Sequence, residues 1–230
     1  MKNARILYVE DDVTLAFLTR DNLQRAGYNV FYCEDGLSAL ENILQNNYDL
    51  YILDVMLPKV DGYMLAKKIR QKSEHAPIIF LSAKSTQDDK IAGLQIGADD
   101  YITKPFSIEE LILKIEVFLK RSQVNNAASD NELWHIGGFV FSKSALKLTK
   151  DEEEYPLTFR EAELLECLCK NQGKIVKRDD ILSLVWGSDR FFSSRSLDVF
   201  ISRLRKLLKS DNNIKIENIH NIGYRLVVGA

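Results

Sequence analysis

The 230-residue chain lacks any apolar run of about 18 residues, so no membrane-spanning helix is expected. Cysteine is scarce. There are three, an odd number, which argues against a disulfide framework. Cys167 and Cys169 stand two apart in a helical pattern and point in different directions, which argues against a shared metal; all three are read as buried, reduced thiols. Lys2 and Arg5 precede only a short apolar run that ends in acids, so no signal peptide is read there. Internal repeats and long low-complexity tracts are missing too. Neither sign of charge dominates, the formal net charge being −2. What remains is a chain of one or two domains, 46% hydrophobic and able to bury real cores.

The near-balance of charge hides an asymmetry. Residues 1–121 hold 15 Lys+Arg and 18 Asp+Glu, whereas residues 122–230 hold 16 and 15. Within 170–209 there are 10 basic and 4 acidic residues, a local cluster of the kind nucleic acid attracts.

The first region alternates. Short apolar runs at 5–9, 29–33, 50–54, 78–82 and 100–103 read as strands. Between them, near 13–26, 36–45, 62–72, 88–97 and 107–121, apolar residues recur at helical spacing. Repeated β-α units predict a five-stranded, doubly wound parallel α/β sheet with helices on both faces. Strands without polar alternation fit burial on both sides. Residues 122–131 are small, polar and aperiodic, and read as a linker. The remainder, 132–230, predicts an α+β domain: short strands over 133–158, a capping box Thr158–Glu161 opening a helix, two further helices and a final strand pair around 218–222.

Four strand ends carry groups suited to phosphate chemistry. Glu10 and Asp11 follow the first run, Asp54 ends the third, Ser82 the fourth, and Lys104 the fifth. In an open parallel sheet such ends gather at one edge. Clustered carboxylates repel, so Glu10, Asp11 and Asp54 call for a cation, and an all-oxygen set suits Mg²⁺. A carboxylate can also act as a nucleophile and form an aspartyl phosphate, with Lys104 on a phosphoryl oxygen and Ser82 donating a hydrogen bond.

These segments, with Met56-Leu57-Pro58, Asp61-Gly62, Gly97-Ala98-Asp99-Asp100-Tyr101 and Lys104-Pro105-Phe106, resemble the receiver domain of two-component response regulators across the whole of 1–121. The resemblance implies Asp54 as phosphoacceptor, Asp11 as direct metal ligand, the Met56 carbonyl on the metal and Glu10 acting through water. It implies Ser82 and Tyr101 as a switch pair, a cis Lys104–Pro105 peptide and Asp12 as a helix cap. It also implies dimerisation on phosphorylation, through a face carrying Lys90, Asp99, Asp100, Glu110, Lys114 and Arg121. Lys114 stands where arginine is commoner, so a bidentate pair is not available there.

In 195–209 two stripes are visible. Leu197, Ile201, Leu204 and Leu208 fall on a core face, and Val199, Ser202, Arg203 and Lys206 on another. The second stripe suits a major groove, with Val199 toward a thymine methyl and Arg203 able to read guanine or hold phosphate; Arg195 and Arg205 are placed to grip phosphates. The order of elements, with Val185-Trp186-Gly187 and Gly223-Tyr224-Arg225, is similar to the winged-helix effector domain of OmpR/PhoB-type regulators over about 132–228. That resemblance implies the Trp186 indole near a phosphate and an RNA polymerase contact through the 188–194 loop. His220 and Asn221 occupy the wing tip, where arginine or lysine followed by glycine is frequent, and a mostly neutral imidazole serves a narrow minor groove poorly. Phe200 is a second departure, on a helix face that often carries a polar residue.

The function expected is a cytoplasmic, phosphorylation-controlled transcription regulator that takes its phosphoryl group from a histidine kinase and binds tandem sites on double-stranded DNA as a dimer. A phosphohydrolase using an aspartyl phosphate is the rival reading. It typically requires a second acid two residues after the nucleophile, where this chain has Met56. A regulator without phosphate control would show a degenerate pocket, and this pocket is complete.

Overall fold

In the computed structural model, which describes residues 3–83, 86–124, 133–187 and 194–229, the chain divides into two compact units at residues 127/128. In the first, strands β1 (Arg5–Val9), β2 (Asn29–Cys33), β3 (Leu50–Asp54), β4 (Ile78–Ser82) and β5 (Asp100–Thr103) form one parallel sheet in the order β2-β1-β3-β4-β5. The central strands β1, β3 and β4 are almost wholly buried, as strands covered on both faces must be. Helices α1 (Val13–Arg25) and α5 (Ile108–Val124) pack together, and α2 (Gly36–Gln45), α3 (Gly62–Lys72) and α4 (Gln87–Ile96) form a second contiguous set. Helix α5 continues to Val124, three residues into the stretch read from sequence as linker. Apolar side chains at helical spacing, among them Leu111, Ile115 and Phe118, carry it that far.

Polar residues after the strands turn the chain into helices. Asp12, Asp35 and Asp61 each accept hydrogen bonds from first-turn amides of the helix that follows, satisfying donors a helix start leaves open. Two glycines let the loops close on the site. A Cβ on Gly62 would lie 2.1 Å from the Asp54 carbonyl oxygen, and one on Gly36 1.7 Å from that of Val60. Lys59, in the left-handed region with φ 69°, reaches the Asp35 carboxylate at 2.5 Å and ties the loop after β3 to α2.

The second unit begins with an antiparallel sheet of β6 (Leu133–Ile136), β7 (Phe139–Ser142), β8 (Lys147–Lys150) and β9 (Glu153–Pro156), paired in chain order. Helices α6 (Phe159–Lys170), α7 (Arg178–Trp186) and α8 (Ser194–Leu207) pack on one another around Leu164, Leu165, Ile181, Leu197, Phe200 and Leu204. The capping box is present, with Thr158 and Glu161 each satisfying the other's backbone amide. A hairpin of β11 (Ile214–Ile219) and β12 (Gly223–Val228), with β10 (Val176–Lys177) on the far side of β12, forms the wing.

Asp99 departs from the surface role the resemblance implied. It is fully buried and ion-paired to Arg70 at 2.7 Å, while Arg70 also donates to the carbonyls of Gly97 and Ala76. Removing the partner of a buried charge is among the more damaging single changes. Arg70→Ala is expected to cost about 3 kcal/mol, read as a lower urea midpoint, and Arg70→Lys to fall between it and the parent. An unchanged midpoint for Arg70→Ala would contradict this account.

Candidate functional site

At the carboxyl edge of the parallel sheet Glu10, Asp11 and Asp54 come together, each offering an oxygen within 4.8 Å of the others. Glu10 and Asp54 are buried and Asp11 is exposed, so the group opens to solvent on one side. Lys104 bridges the two buried acids, its Nζ 2.6 Å from Glu10 Oε1 and 2.5 Å from Asp54 Oδ2. Burial works to lower the Lys104 pKa, but hydrogen bonds and charge from Asp54 and Glu10 outweigh it and the amine is held above its ordinary value. Burial pushes the Glu10 carboxyl up to about 7, against the opposing pull of Lys104 and with a further push from Asp54. The second Asp54 oxygen accepts from the Met56 amide at 2.8 Å. The Lys104–Pro105 peptide is cis.

Ser82 ends β4, and Tyr101 is the second residue of β5, opposite Phe80; both are fully buried. Burial raises the Tyr101 phenol above its ordinary pKa. Residues the sequence reading passed over complete the surroundings. Tyr8 donates to Glu10 Oε2 at 3.4 Å, Tyr32 to the Glu10 carbonyl at 2.9 Å, and Tyr63 lies against Phe80. A tyrosine inside an apolar strand is the one sequence signal that marked Tyr8, since a buried hydroxyl needs a partner.

On the expected dimer face, Asp100 is fully buried and accepts from Lys114 at 3.1 and 2.9 Å, so both are committed within their own chain, as Asp99 is to Arg70. Glu110 is exposed, as are Leu113 and Val117 one and two turns on. The side chains of Lys90 and Arg121 lie outside the described residues.

In the second unit the α8 core stripe is buried as its spacing predicts. The other stripe is only partly free. Ser202 and Lys206 are exposed, with Arg195 at the helix start. Val199 is 9% exposed and belongs to the core margin, so it is not placed to meet a base. Arg203 pairs with Glu161 at 3.2 Å and lies over the Phe200 ring, its side chain only 18% exposed. Arg205 is exposed, and its Nε and Nη2 donate to the Ile216 carbonyl, tying α8 to the wing. Trp186 is buried, 5.2 Å from Phe200 and beneath Arg160, where its indole supports the helix pair instead of standing at the surface. Phe200 is its core partner, which explains an aromatic on that face. His220 and Asn221 form the exposed wing tip, Asn221 in the left-handed region at φ 56°. Residues 188–193, most of the loop expected to meet RNA polymerase, lie outside the described residues.

Comparison with known proteins matches residues 6–116 to the response regulator receiver domain and 152–226 to the C-terminal domain of transcriptional regulatory proteins. The chain is 44% identical to the transcriptional regulatory protein RprY of Bacteroides fragilis, over 97% of its own length and 94% of the relative's. It is 40% identical to the response regulator ArlR of Staphylococcus epidermidis, over 95% and 97%. Among solved structures it is similar to DrrB, an OmpR/PhoB homologue from Thermotoga maritima. There the identity is 28%, the coverage 99% and 100%, and the TM-score 0.52.

Proposed function

Because the chain belongs to the two-component response regulators that join a receiver domain to an OmpR/PhoB-type DNA-binding domain, we propose that Asp54 is its phosphoacceptor and that α8 with the wing is its DNA-reading surface. The chain is a phosphorylation-dependent transcriptional regulator, a non-enzymatic member of its signalling pair, with a histidine kinase as donor and DNA as target. No helix among the described residues is long and apolar enough to cross a membrane. A cytoplasmic location, autodephosphorylation and an RNA polymerase contact through 188–194 follow the same reading.

The observation that carries the phosphoacceptor assignment is the Lys104 bridge to Asp54 beside two further acids. An Asp54 oxygen attacks phosphorus as the phosphorus–nitrogen bond to the donor imidazole breaks, and the nitrogen keeps the bonding pair. Lys104 is positioned to follow the charge onto the phosphoryl oxygens, and Ser82 to donate to one of them. The donor set is oxygen only and open on the Asp11 side, which fits Mg²⁺ held by Asp11, Asp54 and the Met56 carbonyl, with Glu10 acting through water. When bound, the ion would offset negative charge on the transferring group.

For dimerisation we favour the α4–β5–α5 face with a reduced charge set. Asp99, Asp100 and Lys114 are satisfied internally, so Leu113 and Val117, 63% and 36% exposed and next to Glu110, supply the contact. Pairing two chains raises the effective concentration of the second effector domain on tandem DNA sites. Base reading falls to Arg203, which must first leave Glu161; Ser202, Lys206 and Arg195 line the same approach, and His220 the wing tip.

With acetyl phosphate and Mg²⁺, the parent chain is expected to gain one acid-labile phosphoryl group and to sediment as a dimer. Asp54→Asn should take none, and Leu113→Glu should be labelled but stay monomeric. Full labelling of Asp54→Asn sinks the assignment. Mg²⁺ affinity should also depend on pH. Glu10 must be ionised to serve the ion, and its carboxyl sits near 7, so protons compete below that value and affinity rises from pH 6 to pH 8. Glu10→Gln should flatten the profile, and an equal slope in that variant would remove Glu10 from the site. On DNA, Arg203→Ala is expected to cost roughly 1–3 kcal/mol and relax specificity, while Lys206→Ala lowers affinity evenly and flattens the salt dependence. Gel-shift titrations at three salt concentrations separate the two, and identical behaviour of both variants would contradict base reading by Arg203.

A further inference from the structure

The loop from Val55 to Asp61 carries the Met56 carbonyl, the one backbone group proposed for the metal, and it is fixed from two sides. On the pocket side the Met56 amide donates to Asp54 Oδ1 at 2.8 Å and the Gly62 amide to the Val55 carbonyl at 3.1 Å. On the other side the loop is held by the start of α2. The Gly36 amide donates to the Pro58 carbonyl at 3.3 Å, and the Val60 amide closes on the same oxygen at 2.8 Å, folding the chain tightly about Lys59. Lys59 takes the left-handed conformation, φ 69°, which is uncommon outside glycine, and its ammonium lies 2.5 Å from Asp35 Oδ2. Asp35 divides its work between its two oxygens. Oδ1 accepts from the Leu37 and Ser38 amides at 2.9 Å and caps α2, while Oδ2 takes Lys59. The Lys59 side chain is 57% exposed, so the pair adds little to overall stability, and its effect falls on where the loop sits.

We propose that Lys59 and Asp35 are positioning residues for the metal site: their ion pair holds the 55–61 loop against α2 in the arrangement that presents the Met56 carbonyl to Mg²⁺. The proposal rests on the reading of Glu10, Asp11, Asp54 and the Met56 carbonyl as that site. A backbone carbonyl has no rotamer of its own. Only the dihedral angles of its loop aim it, so whatever fixes the loop fixes the ligand. Mg²⁺ demands near-ideal octahedral geometry at about 2.1 Å, so a loop loosened at Lys59 loses affinity although every ligand atom is still present. Linkage makes the effect reciprocal, and bound Mg²⁺ strengthens the Lys59–Asp35 pair by the same factor.

The test is calorimetric titration of the full chain with Mg²⁺, without a phosphoryl donor, and a urea midpoint for each variant to show that it is folded. Lys59→Met removes a cation and Asp35→Asn an anion, and asparagine still caps α2 because its side-chain oxygen serves the same amides. As plain charge effects near a divalent cation, the first would tighten binding and the second weaken it. Loop positioning makes both weaken it. Each should raise the Mg²⁺ Kd about two- to fivefold at low salt, the range a half-exposed pair supplies, and the double variant should go no further than the larger single effect. Lys59→Arg restores the pair and should bind as the parent does. The ratio of variant to parent Kd should shrink toward one in about 1 M salt, where the pair is screened. Unchanged or tighter binding by Lys59→Met, or additive effects in the double variant, would overturn the inference alone. A parent that binds no Mg²⁺, or binding that Asp11→Ala leaves unchanged, would overturn the metal reading and this inference with it.

Discussion

The receiver unit depends on one ammonium group. Strands β1 and β3 bring Glu10 and Asp54 to the same buried edge, an arrangement that Coulomb repulsion and desolvation both oppose. Lys104, arriving from the strand at the sheet's far end, lies within hydrogen-bond distance of both carboxylates and makes the pair tenable. The cluster is only partly relieved by it, since burial still holds Glu10 near 7. The pocket is therefore left able to gain from a metal cation, which would also offset the negative charge a phosphoryl group brings.

A second economy runs through both units: charged groups that look like surface contacts in the sequence are committed to partners within the chain. Arg70 neutralises Asp99 and donates to three carbonyls; Lys114 donates to both oxygens of Asp100; Arg205 holds the Ile216 carbonyl of the wing. In the effector unit Glu161 does two jobs, closing the capping box with one oxygen and holding Arg203 with the other. Asp198 joins Arg178 and Tyr224, so the start of α7, the second turn of α8 and β12 share one hydrogen-bonded group. Positions proposed to face DNA are thus braced by their neighbours, and Arg203 could reach a base only by exchanging the Glu161 carboxylate for a neutral acceptor.

The sheet, its strand limits and the acidic pocket were legible in the sequence for a physical reason. Strands buried on both faces must be apolar throughout, and a polar residue ending such a run can only lie at the sheet edge, so position followed from pattern. Helix α8 was legible as well, because its core stripe repeats at helical spacing. The end of α5 was misjudged by three residues, since the polar composition of 122–124 hides a helix that continues on the strength of its earlier turns.

What composition and spacing could not fix was the destination of each long or polar side chain. An arginine on a predicted groove face and an arginine clamped to Ile216 read alike, and so do an aspartate at an interface and one buried against Arg70, because both are written as one charged letter on a helix or strand. The partners stand far off in the chain: Glu161 for Arg203, Arg70 for Asp99. The sequence by itself determined the fold and the chemistry of the pocket, through burial patterns that repeat locally. Only the tertiary structure decided which charges remain for partners, because ion pairs form between elements whose distances exist only once the chain has folded.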